Sequence, residues 1–384
     1  MRTKTTLAVL TLLLLSPSLR ASEVARMKHK GGIHAIAFSP DGRYLATGSF
    51  DGSARVWEAP SGREVARMVP DVVEARGRID LHDSYGLAFS PNGRYLAAGG
   101  RDGATWLWEA ATGKFVARMA SAYREADAGW FIPYEFAFSP DGKYLATGSA
   151  DGIVRVWEVP AGREVSRMKH EEEVLKIAFS PDGKYLATGS GDTARVWEVA
   201  AAQEVTRVRI EGRISEVAFS PDGRHLAAAT HGRTARLWES VTGREVALMM
   251  VENATAWKIA FSPDGRYLAT GGYGIAQVWE SANGRRVSQM THKSATEWFS
   301  QSDGISTMSF SPDGRYLATA WWDGPARVYE AASGREVARL SHGVLGVVLV
   351  TAFSPDGRYL ATAGGDTVKL WLWQPPPAGA DKVP

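Results

Sequence analysis

No cysteine occurs anywhere in the 384 residues. That excludes disulfides, thiolate metal centres, thiol nucleophiles and a lipid-modified N-terminal cysteine. Long apolar runs are also scarce. The longest candidate, Leu7–Leu15, is nine residues broken by Thr11, whereas spanning a bilayer takes about 20. Charge of one sign is missing too, with 44 Lys+Arg against 42 Asp+Glu, so no strong positive field favours nucleic acid. Metal-ligand spacing is lacking: His82, His225 and His231 stand apart from one another. The Asp-Gly pairs at Asp51, Asp102, Asp151 and Asp323 do not carry the alternating acids and closing Glu of an EF-hand loop. No cofactor and no metal is expected.

The short apolar run has another reading. Arg2 and Lys4 precede it, and Ser16-Pro17-Ser18 or Leu19-Arg20-Ala21 follows as a small-residue cleavage site, the pattern of a secretory signal peptide. Residues 1–21 are therefore expected to be removed. Losing Arg2, Lys4 and Arg20 lowers Lys+Arg from 44 to 41 and shifts the formal charge from +2 to −1. No membrane span then remains, and a periplasmic or secreted location follows.

What the chain has in abundance is repetition. Phe-Ser-Pro-(Asp/Asn)-Gly-(Arg/Lys) starts at Phe38, Phe89, Phe138, Phe179, Phe219, Phe261, Phe310 and Phe353. An aromatic on an apolar-rich segment follows 18 or 19 residues later, at Trp57, Trp108, Trp157, Trp197, Trp238, Trp279, Tyr329 and Trp371. A period of 40 to 51 residues means a repeat architecture.

One copy reads as four strands. Ile33 to Phe38 is an apolar run; Ser39-Pro40-Asp41-Gly42 is a type I turn; Arg43 to Gly48 is a second strand. Phe50-Asp51-Gly52-Ser53 turns, Ala54 to Glu58 alternates as a third strand, and Glu64 to Met68 is a fourth. So small a sheet cannot bury both faces alone, and stacking around an axis gives a propeller. The chain opens on a fourth-strand sequence, Glu23 to Met27, and its last copy lacks one before Pro375-Pro376-Pro377. Pairing the two closes a ring. An all-β, eight-bladed propeller over 22–374 is expected, with 375–384 a Pro-rich disordered tail. Seven blades plus a displaced repeat is the alternative.

The run Ala37 to Gly48, followed by Val56-Trp57, resembles a WD40 repeat, although Trp-Glu replaces the name-giving Trp-Asp in six copies. The resemblance implies a hydrogen-bonded set of His, Ser/Thr, Asp and Trp. By position these are His29, Thr47, Asp51 and Trp57 in copy one, and His170, Thr188, Asp192 and Trp197 in copy four. A hydrolytic triad uses similar residue types, but here the set is expected to be structural, so no catalytic residue is assigned. Quinone-dependent dehydrogenases are also eight-bladed, but their different Trp repeat is absent.

Function is sought where the copies disagree. The fourth-to-first connections are long before copies two, three and seven: Val69 to Tyr85, Ala120 to Tyr134 and Thr291 to Gly304. They carry Trp130, Phe131 and Tyr134 in one case, and Trp298 and Phe299 in another. The second-to-third turns vary at Phe50, Arg101, Tyr273 and Trp322, with Trp321 beside the last. Tyr, Trp and Arg dominate binding hot spots, and loops on a rigid scaffold carry function. The expectation is a non-enzymatic interaction scaffold, exported and bacterial, that binds a protein partner through one rim. A glycan or small-ligand binder is the alternative, and an enzyme is a weaker third.

Overall fold

A computed structural model describes residues 21–69, 86–99, 104–120, 135–251, 256–292, 304–322, 324–342 and 347–375. These residues form eight four-stranded antiparallel sheets and no helix. The eight-bladed expectation holds, and the seven-bladed alternative falls. In the first blade the strands are Ile33–Phe38, Tyr44–Ser49, Ala54–Glu58 and Arg63–Met68, ordered from the axis outward. Among the described residues no helix is long and apolar enough to cross a membrane.

The last blade is built from both ends of the described chain. Val350–Phe353, Tyr359–Gly364 and Thr367–Trp373 supply its inner strands, and Ala21–Lys28 is its outer one. Ala21 pairs with Trp373 and Lys28 with Thr367. The expected closure by an N-terminal strand is therefore present.

The repeated phrase does two jobs. Within a blade, the Ser39 hydroxyl donates to Asp41 Oδ1 at 2.6 Å and accepts from the Tyr44 amide at 2.9 Å. Gly42 sits at φ +69°, a conformation that side chains other than hydrogen make costly. Between blades, the same turn touches its neighbour. A Cβ on Gly93 would lie 3.7 Å from Pro40 Cδ, and one on Gly142 3.6 Å from Pro91 Cδ. The series continues blade to blade and returns to its start, with Pro355 Cδ 3.7 Å from the corresponding point on Gly42.

Burial follows strand position. Leu45, Leu96, Leu145, Leu186, Leu268, Leu317 and Leu360 on the second strands have no exposure at all. Each such burial is worth roughly 1.5–3 kcal/mol. The Ala that follows each leucine lets neighbouring blades approach closely. Outer strands alternate instead, as in Gln203–Arg209, so only one face of each meets water.

Candidate functional site

The polar set of the first blade is assembled from three elements. Thr47 stands on the second strand, Trp57 on the third, and His29 just beyond the end of the closing strand. The Trp57 indole donates to Thr47 Oγ1 at 2.8 Å, and His29 Nε2 lies 2.6 Å from the same oxygen. Asp51 Oδ2 is 3.4 Å from His29 Nδ1 and accepts from the Lys30 amide and Arg55. Burial works against the Asp51 carboxylate, but hydrogen bonds from Ser53 and Lys30 outweigh it and hold its pKa far below the usual range. Burial lowers the His29 pKa to about 4, and Arg55 adds to the effect.

The fourth blade repeats the set with one member missing. His170 Nε2 is 2.8 Å from Thr188 Oγ1, and Trp197 donates to that oxygen at 3.0 Å. Asp192 does not join them. It faces outward, paired with Arg209 at 2.9 Å and with the Thr193 hydroxyl at 2.8 Å. The physical reason is the shorter turn: Gly191-Asp192 lacks the extra residue that swings Asp51 back over the histidine.

A third set, His342–Thr362–Trp371, escaped the sequence reading, with both contacts to Thr362 Oγ1 at 2.8 Å. His342 lies 11 residues before Phe353 rather than nine, and so breaks the positional match. In each set the threonine oxygen already engages both the indole and the imidazole in the blade interior. Thr47, Thr188 and Thr362 have no exposure, so these hydroxyls are sealed inside the blades, out of a substrate's reach. In the fifth blade Ala228 replaces the threonine, and Ile210 takes the place of the histidine. The Ile210 amide donates to the Asp192 carbonyl as the His170 amide does to Gly152.

Trp321 corrects an expectation. It was placed on the rim with Trp322, yet it has no exposure. In the seventh blade Tyr329 stands where the other third strands carry tryptophan. Trp321, ending the strand Tyr316–Trp321, sends its indole N–H to Thr319 Oγ1 at 2.9 Å and stacks on His292 at 4.7 Å. From the threonine's own strand it restores the donor that Tyr329 on the neighbouring strand does not supply.

Trp322 differs sharply from its neighbour. It is 45% exposed, and Tyr273, on the corresponding turn of the sixth blade, is 37% exposed. Trp257 links them. Its ring meets Tyr273 edge-on at 4.2 Å, and its indole donates to the Ile305 carbonyl at 2.8 Å. Gly304 runs between the rings: it bridges to Tyr273, accepts from the Trp322 amide at 3.1 Å, and would drive a Cβ into the Trp257 ring. The two blades thus share one aromatic surface at the second-to-third turns. Trp257 was missed because it lies immediately before the inner strand Lys258–Phe261 rather than in a turn.

Phe50 does not join this surface. It is partly buried in the first blade, its ring 5.0 Å from that of His34. Arg101, Trp130, Phe131, Tyr134, Trp298 and Phe299 lie outside the described residues.

The inner strands carry a feature that the repeats hid. Glu135, Lys176, Glu216 and Lys258 each stand three residues before the repeated phenylalanine, on four successive blades. Lys176 reaches Glu135 at 2.6 Å and Glu216 at 3.7 Å, and Lys258 reaches Glu216 at 3.1 Å. Burial penalises the Lys176 ammonium, but Glu135 and Glu216 overcome this and raise its pKa. An alternating charge belt thus spans half the ring.

Comparison with known proteins supports the architecture. The family model described as "WD domain, G-beta repeat" matches residues 22–58, 77–109, 132–158, 162–198 and 334–371. A model described as eukaryotic translation initiation factor eIF2A matches residues 195–332. A probable cytosolic iron-sulfur protein assembly protein 1 from Malassezia globosa is 40% identical over 92 residues, 23% of this chain and 26% of that protein. A guanine nucleotide-binding protein subunit beta from Oryza sativa subsp. indica is 32% identical over 95 residues, 24% of each chain. The chain thus spans about a quarter of either relative. The computationally designed protein Ika8 superposes with a TM-score of 0.72 over 91% of this chain and 99% of its own, at 21% identity, a likeness of fold alone.

Proposed function

We propose that this eight-bladed propeller of WD40 repeats is a non-catalytic scaffold that binds a protein partner on the face of the second-to-third turns. The observation that carries the reading is Trp322, 45% exposed beside Tyr273 on a surface spanning two blades. Leaving a large aromatic in water forgoes part of the roughly 1.5–3 kcal/mol that full burial of a large apolar side chain brings. A partner that covers it recovers that energy, as binding hot spots do. The names of the relatives, an assembly protein and a subunit, are in keeping with partnership. The buried His–Thr–Trp sets account for the residues that would otherwise suggest hydrolysis.

Export to a bacterial periplasm or medium belongs to the same proposal and rests on Arg2, Lys4 and Leu7–Leu15 alone. The test of binding is capture with matched baits. Wild-type protein should retain a partner that Trp322→Ala and Tyr273→Ala lose while remaining folded. Equal recovery by all three baits rejects the surface.

A further inference from the structure

The fifth blade has an outer edge unlike the others. Its fourth strand is Glu245–Met250, and it pairs inward only, with Thr234–Glu239. Every outer strand of a propeller leaves backbone N–H and C=O groups open on its far side, a template for another strand unless charge blunts it. Six of the other outer strands carry arginine at one equivalent position: Arg26, Arg67, Arg118, Arg167, Arg207 and Arg339. Four of these pair with a glutamate three residues earlier, as Arg26 does with Glu23 at 2.8 Å. In the fifth blade that position is Leu248, 43% exposed, and two residues on stands Met250, 59% exposed. The charged guard is replaced by an apolar row.

The lower end of this strand meets a second departure. Seven copies carry tyrosine after the repeated turn, and the fifth carries His225. In several of them an arginine lies over that tyrosine ring, as Arg266 does at 5.1 Å from Tyr267. A cleft of about 720 Å³ opens beside His225, lined by Asp182, Asp222, Glu239, by Arg224, which pairs with Asp222 at 3.9 Å, and by Val241, which is 45% exposed. Hydrogen bonds from Arg244 and Thr242 keep Glu239 ionised, its pKa lowered to about 2.

We infer that the outer edge of the fifth blade is a second docking surface, for an extended partner segment that adds a fifth strand to this sheet. Its alternate residues are apolar and cover Leu248 and Met250. Running antiparallel, its C-terminal end reaches Glu239 and Asp222 and carries a basic residue. Main-chain bonds supply affinity in this mode, and the alternate side chains supply specificity. A second copy of the chain fits less well, because a six-residue edge falls far below the roughly 20–30 residues a side of a stable interface.

The probe is a fluorescently labelled eight-residue peptide alternating valine and threonine with lysine last, titrated with the full chain and read by anisotropy. Saturable binding is expected, weakened about tenfold or more by Leu248→Arg with Met250→Lys, and weakened again when the peptide lysine is replaced by glutamate. The double variant should fold normally, since it installs residues that other blades carry at these positions, and an unchanged melting curve checks this. It leaves Trp322 untouched, so loss of the peptide with retention of a partner held at Trp322 separates the two surfaces. Absence of binding at millimolar protein, or binding indifferent to the variants, overturns the inference. So does sedimentation showing a dimer that the double variant dissolves.

Discussion

Two adjacent tryptophans should behave as opposites. Trp321→Ala removes a ring with no exposure, one that stacks on His292 at 4.7 Å and donates to Thr319 at 2.9 Å. Emptying such a site costs about 3–5 kcal/mol, and stranding the threonine oxygen adds about 1 kcal/mol. Trp322→Ala trims a side chain that is 45% exposed and should cost no more than about 1 kcal/mol. Trp321→Phe keeps the stack and loses the donor, and should fall between them. Urea unfolding followed by far-ultraviolet circular dichroism measures all three, and the stability changes appear as shifted midpoints at constant slope. The reasoning fails if Trp322→Ala proves as costly as Trp321→Ala, or if Trp321→Phe is harmless and Trp321→Ala nearly so.

The buried histidines predict acid sensitivity. His29, His170 and His342 are each lowered from 6.5 to about 4 by burial, with Arg55, Arg195 and Lys369 adding to it. Their neutral forms stabilise the fold fully above pH 6.5, and that contribution is lost as pH falls toward 4, by roughly 2–3 kcal/mol each at pH 4.5. Unfolding titrations at pH 7 and 4.5 should show the loss, and a flat profile would contradict it. Asp51→Ala should cost about 1–3 kcal/mol, because it removes the carboxylate that the Lys30 amide, Ser53 and Arg55 share, whereas Asp192→Ala should stay within about 0.5 kcal/mol. Equal melting temperatures for the two variants would count against the different geometries. Deleting Ala21–Met27 should strip the last blade of its outer strand and bare the Thr367–Trp373 edge. A soluble deletion variant that melts with the wild type would refute closure.

The fold was legible because each copy states the same physical problem. Phe38 and Leu45 recur seven residues apart, an aromatic like Trp57 follows 18 or 19 residues after the phenylalanine, and the Ser-Pro-Asp-Gly turn can be read from its own residue preferences. Even the closing strand showed itself, since Glu23 to Met27 matches Glu64 to Met68. The ring contact between Pro40 and Gly93 did not, because it joins residues about 50 positions apart. Departures from the repeat were harder to interpret. An aromatic at a turn looks the same in sequence whether it faces water, as Trp322 does, or folds inward to satisfy Thr319, as Trp321 does. What separates them is the strand's alternation together with the tyrosine at position 329. The belt from Glu135 to Lys258 stayed hidden for a different reason: its charges are spread over four copies and meet only around the axis.

The central claim is that the aromatic face of the sixth and seventh blades binds a partner. The direct measurement is calorimetric affinity of the captured partner for wild type, Trp322→Ala and Asp141→Ala. Asp141 occupies a first-to-second turn at the other end of its blade, where it bonds Ser139 at 2.7 Å. The account predicts a loss of about 2 kcal/mol or more, roughly thirtyfold, for Trp322→Ala and no change for Asp141→Ala. Affinity that ignores Trp322 and falls with Asp141 would place the partner on the opposite face and contradict the account.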